Sequence, residues 1–163
     1  MRRPFRNRTT IGLFKEKSNK KLLSISSLYD EVNKYQRQLA KQRNTTEYEL
    51  DDELIYDLLI GSCDDNSILL GQHLSTICSN NILRVSGAVD YSNEPTPKSE
   101  SEAKDTKTAH YWLLVEVPSQ DPHSYANVDL ITESETIPTY EPTVQVEKPE
   151  DYIIFKVQNM NDI

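Results

Sequence analysis

Glycine is scarce, with four in 163 residues. Its scarcity removes the Gly-rich loops that cradle phosphates: there is no Walker-type loop and no dinucleotide fingerprint. Two cysteines, Cys63 and Cys78, are too few for a disulfide framework. The N-terminus lacks the apolar segment of a secretory signal, so a reducing compartment is expected. No apolar run approaches the roughly 20 residues needed to cross a bilayer. Apolar residues make up 36%, below the approximately 45–50% usual in globular chains. That implies a small core, or a chain of which part stays outside the core.

Histidine is sparse too. His73, His110 and His123 stand far apart, and paired-Cys zinc spacing, His-Glu-x-x-His and a nucleophile elbow are all missing. Cys63 or Cys78 with His73 would supply a thiol and a base. Cys78, however, lies on an apolar stripe, where a free cysteine packs as a small hydrophobe. Asp51, Asp52, Glu53, Asp57, Asp64 and Asp65 lack the spacing and glycine of a calcium loop and read as a solvated helix face. The chain is therefore expected to be non-enzymatic, without metal or cofactor and with no evident small-molecule substrate.

What the sequence does have is a split charge. Residues 1–43 hold 12 Lys and Arg against 3 Asp and Glu, a balance of +9, whereas residues 44–163 balance at −17. This reads as a basic arm on an acidic body. Within the arm, Arg2, Arg3, Arg6, Arg8, Lys15, Lys17, Lys20 and Lys21 are the candidate contacts for DNA, RNA, an import receptor or an acidic partner. The same run, rich in Arg and free of acids over its first fifteen residues, also fits a mitochondrial transit segment. Nine tyrosines tilt the composition towards protein interfaces, where Tyr gives rigid contact area with a polar tip.

The chain divides into a disordered basic arm (1–24), a helical hairpin (25–62) and a small β module (64–163). Leu28, Val32, Tyr35 and Leu39 form one helical stripe, capped by Ser27 with Asp30. Leu50, Leu54 and Leu58 form another on a helix over 47–60, capped by Thr46 with Glu49, and Gly61 is its stop. Both stripes are candidate helix interfaces. A third helix is expected to start at Asn66 or Ser67. Strands follow at 82–90, 109–117, 126–132, 143–147 and 151–158, with Tyr111–Val117, holding the only Trp, at the centre. Gly87 marks a bulge or a close backbone approach. Residues 92–108, with Ala103 as their single apolar residue, read as a disordered insertion.

The fold class is thus α+β, with a mostly antiparallel five-stranded small barrel or curled sheet. The order of helix (Leu69–Cys78), strand (Ile82–Asp90) and closing strand (Tyr152–Val157), with Asn127-Val128-Asp129-Leu130 between, resembles Sm-like modules over about residues 68–158. An OB-like barrel fits the strand count equally. The Sm-like resemblance implies a small barrel. It does not imply that family's RNA pocket, because Lys148-Pro149-Glu150-Asp151 stands where the family has an Arg-Gly pair. The leading expectation is a non-enzymatic subunit of a nuclear multiprotein complex, with protein partners and no membrane contact. The alternatives are a small-barrel protein that binds single-stranded nucleic acid and a mitochondrial assembly or ribosomal factor.

Overall fold

The computed structural model describes residues 20–119, 124–137 and 140–162. Three helices lead into the sheet: α1 (Ile25–Arg43), α2 (Asp52–Leu59) and α3 (Cys63–Ile77). A short helix, α4 (Glu100–Asp105), lies between the first two of five strands. These are β1 (Ile82–Val89), β2 (Ala109–Glu116), β3 (Tyr125–Asp129), β4 (Thr143–Gln145) and β5 (Tyr152–Asn159). The sheet runs β4-β3-β2-β1-β5, with every neighbouring pair antiparallel. The Trp-bearing strand β2 is the middle one, as its apolar run predicts.

The sheet is open, which corrects the expected barrel. β4 and β5 lie at opposite edges. The reason is visible in the packing. Leu113, Val115, Ala126 and Val128 on one face of the sheet join Leu28, Val32, Leu70 and Leu74 from the helices in one core. A sheet whose apolar face is covered by helices has no need to close on itself. The other face carries a smaller cluster of Val85, Val89, Trp112 and Tyr152.

β1, β2 and β5 fall within one residue of their expected bounds, β3 and β4 end three and two residues earlier than expected, and the helix starts are displaced. Ser24, not Ser27, caps α1, its hydroxyl accepting from the Ser27 amide at 3.3 Å. Asp51 caps α2 by accepting from Leu54 N at 2.8 Å. Thr46 is not a cap: its amide and hydroxyl donate to Asn44 Oδ1 in a local turn, the competing use such residues find outside helices. The stripe on α2 is accordingly rephased. Ile55 and Leu59 are buried, while Leu50, Leu54 and Leu58 are half-buried, and Leu50 precedes the helix. On α1 the predicted stripe does face the core, with Leu28, Val32 and Leu39 buried and Tyr35 half-buried. Gly61, at φ +83°, stops α2 in the left-handed conformation that glycine allows.

Two expected disordered segments need correction where they are described. Residues 92–108 contain α4, capped by Ser99 and anchored by the buried Ala103. The end of the basic arm is also placed. Lys20 donates to the Ser75 carbonyl at 2.8 Å, and Lys21 forms an isolated parallel bridge with Cys78, its carbonyl accepting from Ser79 N at 2.9 Å. Arg2, Arg3, Arg6, Arg8, Lys15 and Lys17 lie outside the described residues.

Gly87 is where the sheet is tightest. The pairing of β1 with β5 shifts register between Ser86 and Gly87, leaving Phe155 as the extra residue. A Cβ on Gly87 would come within 2.0 Å of the Ile153 carbonyl oxygen and 2.9 Å of the Trp112 ring. The absence of a side chain here lets the Trp112 ring pack close against the strand.

Candidate functional site

Along β2, His110 and Trp112 share one face, and Leu113 and Val115 belong to the core on the other, as the two-residue period of a strand requires. On β3, Asn127 and Asp129 project on the same side as His110 and Trp112. The pairing of Leu113 with Val128 places Asp129 beside Trp112 and one step from His110. The result is a buried polar cluster. His110 Nε2 lies 2.5 Å from Asp129 Oδ2, and Tyr152 donates to the same oxygen at 2.6 Å. The Tyr152 oxygen accepts from Glu133 N at 2.9 Å. Trp112 Nε1 donates to Asn127 Oδ1 at 3.0 Å, and its ring stacks on His110 at 5.6 Å between centroids.

The second ring nitrogen of His110 faces elsewhere. His110 is 1% exposed, and its Nδ1 has no hydrogen bond of acceptable geometry. Glu133 Oε2 is 3.2 Å away but out of line. Cys63 completes the arrangement: its Sγ, His110 Nδ1 and a Glu133 carboxylate oxygen all lie within 4.8 Å of one another.

Cys63 opens α3, and no side chain caps that helix start. A helix N-terminus carries partial positive charge and backbone N–H groups without intrahelical partners. Arg84 holds the end in place. It pairs with Asp64, donates to Ser67 Oγ at 3.0 Å and lies 4.5 Å over the Tyr111 ring.

The electrostatics are those of a coupled pair. Burial opposes a charged imidazole, but the Asp129 charge and its hydrogen bond, helped by the nearby Cys63 and Glu133, outweigh it. His110 is held well above the usual histidine range. Burial pushes Asp129 up, and its contacts with His110 and Tyr152 pull against that. Burial and Asp129 together hold the Tyr152 phenol far above its ordinary range, so it stays a donor. A cavity of about 690 Å³ adjoins the cluster, with Glu133 in its wall alongside Tyr56, Ile60, Tyr91 and Tyr140.

The histidine that lies beside Cys63 is His110 and not His73. His73 stacks on Tyr35 at 4.4 Å, and burial lowers it. Cys78 is buried, donates to the Leu74 carbonyl at 3.2 Å, and burial pushes its thiol up, which is packing behaviour. His123 lies outside the described residues. Among the acids, Asp51 caps α2 and Asp64 pairs with Arg84. A signal for the cluster was present: a histidine at the start of one strand and an aspartate at the end of its antiparallel neighbour. Comparison with protein-family models, curated proteins and solved structures gave no match.

Proposed function

We propose that the chain is a cysteine-nucleophile enzyme acting by acyl transfer, with Cys63 as nucleophile, His110 as general base and acid, and Asp129 as the residue that orients the imidazole. One observation carries this reading. A thiol at a helix N-terminus lies within 4.8 Å of the Nδ1 of a buried histidine, a nitrogen that makes no hydrogen bond, while the Nε2 of the same ring is bound to a buried carboxylate at 2.5 Å. Nucleophile, base and orienting acid in this relation are recognised by geometry and role, on whatever fold they occur.

The chemistry follows from the placement. Cys63 Sγ, deprotonated beside the charged His110 imidazole, attacks the carbonyl carbon of an ester, thioester or amide. The negative charge gathering on the carbonyl oxygen is met by backbone N–H groups at the start of α3, where the helix dipole also favours it. Collapse breaks the bond to the leaving group, which takes a proton from His110. Water or another nucleophile then releases the acyl group from sulfur. Asp129, itself fixed by Tyr152, holds the ring so that Nδ1 points at the thiol throughout.

The test is acylation of the full chain by p-nitrophenyl acetate. The expected result is a burst approaching one p-nitrophenolate per chain, with the acetyl group on Cys63 and not Cys78 by peptide mass. Cys63→Ala removes the burst, and His110→Gln slows it by about 10²–10⁴-fold, the usual worth of a positioned base. Acetylation of Cys63 no faster in the folded chain than in urea would sink the proposal.

The charge partition supports a second reading. Here the chain is a non-catalytic subunit of a nuclear assembly, with α1 and α2 paired as a helical hairpin that binds protein partners. Its basic residues 1–21 contact nucleic acid.

A further inference from the structure

We propose that Cys63, His110 and Glu133 also form a binding site for a thiophilic divalent cation, Zn²⁺ foremost, and that the bound ion switches the thiol off. The three residues come from different parts of the fold, the start of α3, the start of β2 and the segment after β3, yet their ligand atoms fall within 4.8 Å of one another. Tetrahedral zinc, with bonds of about 2.0–2.3 Å, keeps its ligand atoms roughly 3–4 Å apart. The 3.2 Å between His110 Nδ1 and Glu133 Oε2 is already that separation.

The independent sign of a ligand is the orphaned nitrogen. A buried ring nitrogen without a hydrogen bond is uncommon and calls for an explanation. Here it belongs to a residue that is 1% exposed, and it is aimed between a thiol and a carboxylate. Behind it, His110 Nε2 is bound to Asp129 at 2.5 Å, the carboxylate–histidine backing that fixes the tautomer of metal-ligating imidazoles. Tyr152 and the Trp112 ring hold the same imidazole in place. One sulfur, one imidazole and one carboxylate suit a borderline-soft ion and not calcium or magnesium, which take oxygen ligands. The fourth position is left to water on the side of the cavity whose wall includes Glu133.

The regulatory half of the inference rests on the nucleophile reading, because coordination draws charge off the thiolate and occupies the His110 nitrogen beside it. Binding itself does not depend on that reading.

Co²⁺ titrated into the reduced full chain is the probe. A sulfur-to-cobalt charge-transfer band and tetrahedral d–d bands are expected, both displaced by Zn²⁺. Cys63→Ser removes the charge-transfer band, Glu133→Gln weakens Co²⁺ binding at least ten-fold, and Cys78→Ala leaves it intact. Circular dichroism confirms that each variant is folded. Zn²⁺ is expected to slow iodoacetamide alkylation of Cys63 at least ten-fold, with a chelator restoring the rate. No sulfur-to-cobalt band, or alkylation indifferent to Zn²⁺, overturns the metal site even if Cys63 acylates in the burst experiment. A band without acylation in metal-free buffer upholds the site and removes the nucleophile reading instead.

Discussion

One oxygen of Asp129 serves two neighbours, His110 and Tyr152, and this sharing sets what single substitutions do. Asp129→Asn keeps the shape but presents an amide to His110 Nε2, so the ring can turn or adopt the wrong tautomer. Acylation of Cys63 is expected to fall by about 10²–10⁴-fold, with little change in the far-ultraviolet spectrum. Stopped-flow release of p-nitrophenolate measures it. Tyr152→Phe removes a hydrogen bond to a buried charged group and leaves the Glu133 amide without its acceptor. A loss of about 1.5–3 kcal/mol in urea unfolding is expected, together with a smaller fall in acylation rate than Asp129→Asn gives. Equal falls in rate would show that Tyr152 acts on the substrate and not through Asp129.

The strands were the most legible elements and the helix starts the least, for a physical reason. Short runs of aromatic and branched residues such as Tyr111–Val117 and Tyr152–Val157 mark strands with little ambiguity. A helix start depends on which of several Ser, Thr or Asp residues wins the amides. Ser24 and Asp51 win over Ser27 and Thr46 here. The pairing of Cys63 with His110 was hidden for a further reason: it joins residues that only the packing of α3 on the sheet brings together. The bulge at Gly87, by contrast, could be read from a lone glycine inside an apolar run. Gly87→Ala drives a methyl group into the Ile153 carbonyl and the Trp112 ring. A loss of about 2–3 kcal/mol is expected, at the upper end for an overpacked core. It should appear as a lower urea midpoint with an unchanged slope. Because Trp112 stacks on His110, the variant should also slow acylation of Cys63.

Across the whole molecule, charge and chemistry occupy different territories. The excess of positive charge lies in residues 1–43, and the cluster around Cys63 lies in the acidic remainder. The second reading therefore makes a separate demand. If residues 1–21 grip nucleic acid, the logarithm of affinity falls linearly with the logarithm of salt, with a slope near −0.9 per phosphate contacted on duplex DNA. Fluorescence anisotropy of a labelled duplex checks this, and removal of residues 1–19 should abolish binding. Tight binding that survives the removal refutes the arm as the contact.

The position of β5 has one more consequence. It pairs with β1, some seventy residues earlier in the chain, and brings Tyr152 to Asp129 across the sheet. During synthesis Cys63, His110 and Asp129 are all made before this strand exists. The imidazole gains its final brace only after residue 152 has left the ribosome and the edge beside β1 has been filled. On the nucleophile reading, a nascent chain thus carries an unarmed thiol until one of the closing events of folding.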